Sequence, residues 1–170
     1  MRWLAIGACL LGLTACSRKT PPTPAVPSPP TEAPPPTPPR VDQGILAELT
    51  REAASRPGVH PSVEETLSAF ESAGIAIARK QQVLAAPLAA RYCAVAASKA
   101  GLNLSLCEFD TVEHAKAGRD RSEAQGKALK GRTLLLVERT LLTLIVHGDD
   151  AAILAQRDEA SKRFRAINVK

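Results

Sequence analysis

Aromatic side chains are scarce in this 170-residue chain: one Trp, one Tyr and three Phe, 3% of the sequence. A core must therefore be built from Leu, Ile, Val and Ala, and a nucleic acid would find no platform for stacking its bases. An excess of charge of one sign is missing as well. The whole chain carries +5, but Arg2, Arg18, Lys19 and Arg40, together with Glu32, precede residue 41. Residues 41–170 hold 18 basic and 16 acidic side chains, a net of +2. That is a solvated surface, not the footprint of a nucleic-acid partner. No apolar run reaches the ~20 residues that a membrane-crossing helix needs. The apolar block Thr133–His147 falls short of that length and carries Glu138-Arg139 in its middle.

What the chain does contain begins at its start. Met1-Arg2 is a short positive opening, and an apolar run from Trp3 to Leu13 follows it. A positive start, a short apolar segment and small residues before a cut are the marks of a secretory signal. The run ends in Leu13-Thr14-Ala15-Cys16, which resembles the lipobox of bacterial lipoproteins. The resemblance implies cleavage between Ala15 and Cys16, a diacylglycerol thioether on Cys16, and acylation of the new amino terminus, with palmitate among the fatty acids. Membrane lipid is then a partner through Cys16. Ser17, where an Asp would signal retention, implies sorting to the outer membrane.

Between Thr20 and Arg40 lie 11 prolines in 21 residues. Such a stretch can hold neither a helix nor a ladder and is expected to be extended and solvated. At ~3.1 Å per residue it could hold a domain up to roughly 60 Å from its anchor. The expected organisation is a signal peptide over 1–15, a lipidated cysteine and Pro-rich linker over 16–40, and one domain over 41–170 with its ordered core from about residue 60 to 168.

Of the four cysteines, Cys9 leaves with the signal and Cys16 is lipidated, which leaves Cys93 and Cys107. An even pair in an oxidising compartment points to a disulfide. Arg91–Ser98 and Leu102–Asp110 read as two strands joined at Lys99-Ala100-Gly101. If Ser98 faces Leu102, opposed residue numbers sum to 200, and Cys93 lies opposite Cys107. Tyr92, Ala94 and Ala96 then share an apolar face with Leu102, Leu104 and Leu106. A slip of one residue would throw the two cysteines onto opposite faces. The Cα atoms of the pair are expected ~5.5 Å apart.

Asp42–Ser55 is a helical candidate with Ile45, Leu49 and Ala53 on its inner face, closed by Pro57-Gly58. Ser62-Val63-Glu64-Glu65 has capping-box spacing, followed by Val63, Leu67 and Phe70 at helical intervals and by Gly74 as terminator. Ile75–Leu84 reads as a strand. Asp110-Thr111-Val112-Glu113 reads as a second capping box opening an Ala-rich helix to about Lys130. Thr133–His147 favours two strands turning at Glu138-Arg139, with a buried helix as the alternative. Asp149 or Asp150 caps a last helix that turns Ile153, Ala160, Phe164 and Ile167 to one side. The expected class is α+β: one largely antiparallel sheet with helices packed on one side.

Chemistry is thinly written. His60, His114 and His147 stand apart, outside any zinc spacing. Cys107, Asp110 and His114 are imaginable as ligands, but a bridge, a helix cap and an exposed first-turn residue explain them more simply. Gly-x-Ser-x-Gly, Cys-x-x-Cys-His and the dinucleotide fingerprint are all absent. No metal, cofactor or catalytic residue is therefore expected. The reading is a non-enzymatic envelope module that binds a partner protein or cell-wall component. The alternative is a tethered enzyme or small-ligand carrier whose site assembles from dispersed residues. An exposed apolar patch would favour the former, and a deep pocket of perturbed titratable groups the latter.

Overall fold

The computed structural model describes residues 43–167. Ala15, Cys16 and the Pro-rich tract lie outside the described residues. Four helices and five strands follow in the order α1 (Gln43–Ala54), α2 (Val63–Ser72), β1 (Ile77–Val83), β2 (Tyr92–Ser98), β3 (Asn103–Glu108), α3 (Val112–Gln125), β4 (Arg132–Val137), β5 (Thr140–Ile145) and α4 (Ala151–Ala166), with a 3-10 turn at Ala86–Leu88. The strands form one fully antiparallel sheet in the order β1-β2-β3-β5-β4. This is a single small α+β domain.

Local chemistry sets most boundaries. The Ser62 side chain accepts from the Glu65 amide, and the Glu65 carboxylate accepts from the Ser62 amide at 2.8 Å. This is the capping box that the spacing predicts, and it starts α2. At its other end Gly74 has φ +84, while the amides of Gly74 and Ile75 donate to Glu71 and Phe70. These two bonds close the helix in the left-handed terminator that glycine favours. Asp150 caps α4 by accepting from the amides of Ala152 and Ile153.

The central hairpin has the register that the sequence implies. Cys93 faces Cys107, Ala94 faces Leu106 and Ala96 faces Leu104, and Gly101 supplies φ +102 in the turn. Ser98 donates to Leu102 at 2.9 Å, so even-numbered residues of β2 form the hydrogen-bonded pairs and Cys93–Cys107 is a non-hydrogen-bonded one. Such pairs bring Cα atoms closest, to ~4.5 Å. The disulfide accordingly spans 4.2 Å between Cα atoms rather than the expected 5.5 Å. Residues 133–147 form the hairpin and not the buried helix, with Glu138 at φ +48 in a two-residue turn.

Alternation divides the apolar residues between two faces. On the first, Ala94, Ala96, Leu104, Leu106, Leu142 and Leu144 pack against Val63, Leu67 and Phe70 of α2 and Ala160 and Phe164 of α4. On the second, Cys93, Cys107 and Leu141 pack under Phe109 and Ala115. Helices α2 and α4 thus share one side, as expected, while α3 covers part of the other. Gly118 is what lets α3 approach: a Cβ there would lie 2.3 Å from the Phe109 ring.

Three local expectations need correction. The inner face of α1 is not apolar: Ile45 is 45% exposed, Ala53 is exposed, and Glu52 is buried. The neighbouring surface explains this. It offers an amide and an amide side chain, so Glu52 accepts from the Ala85 amide and Gln82 donates to the Leu49 carbonyl. Secondly, α3 is capped by Thr111 alone, which accepts from the His114 amide. Thirdly, α3 stops at Gln125 rather than near Lys130. Gly126 is the C-cap and its amide donates to the Ser122 carbonyl at 3.0 Å, an acceptor that the Arg132 guanidinium shares at 2.7 Å.

Candidate functional site

The half of the second face beyond α3 is open, and the elements around it frame a groove. Its floor is the Cys93–Cys107 disulfide with Ser105 and Thr143. Its walls are Val83, Leu84, Pro87 and Leu88 on one side and Gln125, Gly126 and Leu129 on the other, with Ile145 and Arg132 at the ends. The volume is about 280 Å³. Leu129 stands 52% exposed on the rim, a position that core packing does not explain. Strand alternation fixes the floor, because Cys93, Ser105, Cys107 and Thr143 all point away from the α2–α4 core. The walls come from the 3-10 turn and from the end of α3 with the segment after it, and Arg132 ties the last turns of α3 to β4 through Ser122. Arg132 also donates to the Ser122 hydroxyl. Burial pushes its guanidinium below the ordinary arginine value, against the raising influence of Glu123.

A second hollow, about 310 Å³, lies by the start of α3 and is lined by Ala89, Ala90, Arg91, Asp110, His114, Ala117 and Arg121. Its charged groups are occupied. Arg91 is ion-paired with Asp110, and Arg121 donates to the Leu88 carbonyl at 3.2 Å. No nucleophile stands beside a base here.

The strongest electrostatic cluster is structural in kind. Glu108 is fully buried. It accepts from Arg56 and, at 2.7 Å, from the Val63 amide. Arg56 also pairs with Glu64, which Lys80 reaches at 2.7 Å, and it lies 4.3 Å over the Tyr92 ring. The bond to Glu108 holds the Arg56 guanidinium well above its usual value. For Glu64, burial raises the carboxyl, but hydrogen bonds from Arg56 and Lys80 outweigh it and hold the group at about 2. The cluster clamps the α1–α2 connection to the end of β3. It leaves no carboxylate free for acid–base work.

The residues singled out from sequence fare differently. Cys93 and Cys107 are brought together and bonded, which removes Cys107 from the imagined ligand trio. Asp110 and His114 do meet, in the second hollow. His60 lies 3.1 Å from Glu65, and His147 lines a hollow with Gly131 and Val146. Among the described residues, no three metal-binding side chains converge. The groove itself was not anticipated. Val83–Leu88, Gln125–Leu129, Arg132 and Ile145 lie in separate segments, and no local pattern marks them as neighbours. No family model, characterised protein or solved structure matches the chain.

Proposed function

We propose that the protein is an envelope lipoprotein anchored by an acylated Cys16, on the outer membrane, and that its domain is a non-enzymatic module binding another envelope protein. Leu13-Thr14-Ala15-Cys16, followed by a Pro-rich spacer, carries the reading: a tether of that kind serves a domain that must reach something. The groove supports the binding half. Its apolar walls, polar floor and exposed Leu129 suit an apolar protein segment. It offers no aromatic face on which a sugar ring could stack, which favours a protein over a cell-wall glycan. The enzyme alternative would have to use the hollow at Arg91, Asp110 and His114, where Arg91 and Asp110 are already paired with each other.

Two experiments test the two halves separately. Cys16→Ala should abolish palmitate labelling and leave the precursor uncut. Processing and release like the wild type would sink the anchor. A photo-crosslinker at Leu129 should trap one envelope protein, and Leu88→Glu in the facing wall should remove that adduct. An adduct unchanged by the glutamate would sink the groove.

A further inference from the structure

The groove over the disulfide does not stop at Leu129. A further hollow, of about 590 Å³, adjoins it and shares Gly126, Leu129 and Arg132 with it. The two differ in chemistry. Val83, Leu84, Pro87 and Leu88 wall the groove, whereas the further hollow presents Arg119, Lys127 and Arg132 against one carboxylate, Glu123. Local structure brings these charges together. Arg119 and Glu123 stand one turn apart on α3, and Lys127 follows just past the Gly126 C-cap. Arg132 turns toward them because it is paired with Ile145 and so shares that residue's face of the sheet. Gly126 leaves room for its guanidinium, since a Cβ there would overlap Arg132 Nη1.

Three cations against one carboxylate leave +2 in this hollow, which equals the net charge of residues 41–170. Elsewhere over that range the charges balance. Among the described residues, Lys127 and Arg132 take part in no ion pair. Ser122 takes one N–H from each terminal nitrogen of Arg132, and a guanidinium has five to give. Arg119 meets only its exposed neighbour Asp120, a surface pair of small worth. An apolar trough thus opens onto cations with few anions of their own.

We propose that the partner segment carries an apolar run seated in the groove and, adjoining it, Asp or Glu residues that cross Leu129 into the basic hollow. This rests on the reading of the groove as a protein site and adds to it the charge that selects the partner. An acyl chain with an anionic headgroup would have the same polarity, but the floor favours a peptide. The Ser105 hydroxyl has only the Cys107 sulfur as a partner among the described residues, at 4.0 Å, and Thr143 faces it across the β3–β5 pair. An acyl chain would cover both hydroxyls without pairing them, whereas a peptide brings carbonyls and amides that can.

The test is selection of a display library of random short peptides on the whole chain, repeated on two variants. Arg119→Glu with Lys127→Glu reverses the hollow at two exposed positions, so circular dichroism should remain that of the folded protein. Leu88→Glu spoils the groove. The wild type should enrich peptides with an apolar run beside Asp or Glu. Their affinity should fall about tenfold or more in the reversed chain, which should itself enrich peptides ending in Lys or Arg. Leu88→Glu should lose both sets. Apolar peptides without acidic bias, lost in Leu88→Glu, overturn the basic hollow and leave the groove reading standing. So do acidic peptides that the reversed chain keeps at full affinity. Peptides indifferent to Leu88→Glu, or no enrichment at all, overturn the groove reading and this proposal with it. Dodecyl phosphate binding more tightly than any selected peptide would give the site to an anionic lipid and overturn the peptide.

Discussion

The two faces of the sheet are built from the same strands and are finished differently. Toward α2 and α4, three aromatic or branched side chains of α2 and the Phe164 ring of α4 close over six strand residues, nearly all of them fully buried. Toward α3, burial is confined to a small cluster around Phe109, and the disulfide forms part of the floor of an open groove. One face is held by area. The other is held by a covalent bond and a few ties, and so keeps a surface free. The difference begins in α3: its inward positions are Ala115, Gly118 and Ser122, small residues that let the helix approach but bury little.

The comparison can be broken first at its stronger side. Phe164→Ala removes a fully buried ring and should cost ~3–5 kcal/mol in chemical denaturation. A loss below about 1 kcal/mol would mean that α4 contributes little to the closed face. Reduction of Cys93–Cys107 should cost less, ~2–4 kcal/mol for a loop of this size. It should speed amide exchange around the groove more than in α2. Equal acceleration on both faces would show that the bond supports the whole fold rather than the open side.

Acid provides a subtler probe of the closed face. Glu64 titrates at about 2 in the folded chain and near ~4.3 when unfolded. Its contribution is therefore complete above pH ~4.3 and lost as the pH falls from there toward about 2. Glu64→Gln should flatten the decline of the unfolding midpoint over that window. An unchanged profile would remove Glu64 from the clamp. The smallest effect is expected at the rim, where Leu129→Ser should alter stability by less than ~0.5 kcal/mol. A large loss would mean that Leu129 is packed after all and the groove is narrower than described.

How much of this was legible beforehand depended on distance along the chain. The β2–β3 register, the α2 cap and the Glu138-Arg139 turn are each decided within about 20 residues, by alternation, by a side chain reaching three positions, and by a short connection. The inner face of α1 was misread because apolar spacing says nothing of what the helix will meet, and it meets the Ala85 amide and Gln82. The end of α3 is not legible locally, because its Ala-rich pattern runs on past Gly126 and the guanidinium that bonds its last turns belongs to Arg132, on the next strand.

By itself the sequence determined the α+β class, the β2–β3 hairpin and its cysteine pairing, all from periodicity and short-range geometry, while over 133–147 it left a buried helix beside the hairpin. Only the tertiary structure decided which strands became the sheet edges, that Glu108 would be buried under Arg56, and that four separate segments would frame a groove. Those outcomes depend on contacts between residues remote in sequence, whose free energy appears only once the sheet order has brought them together.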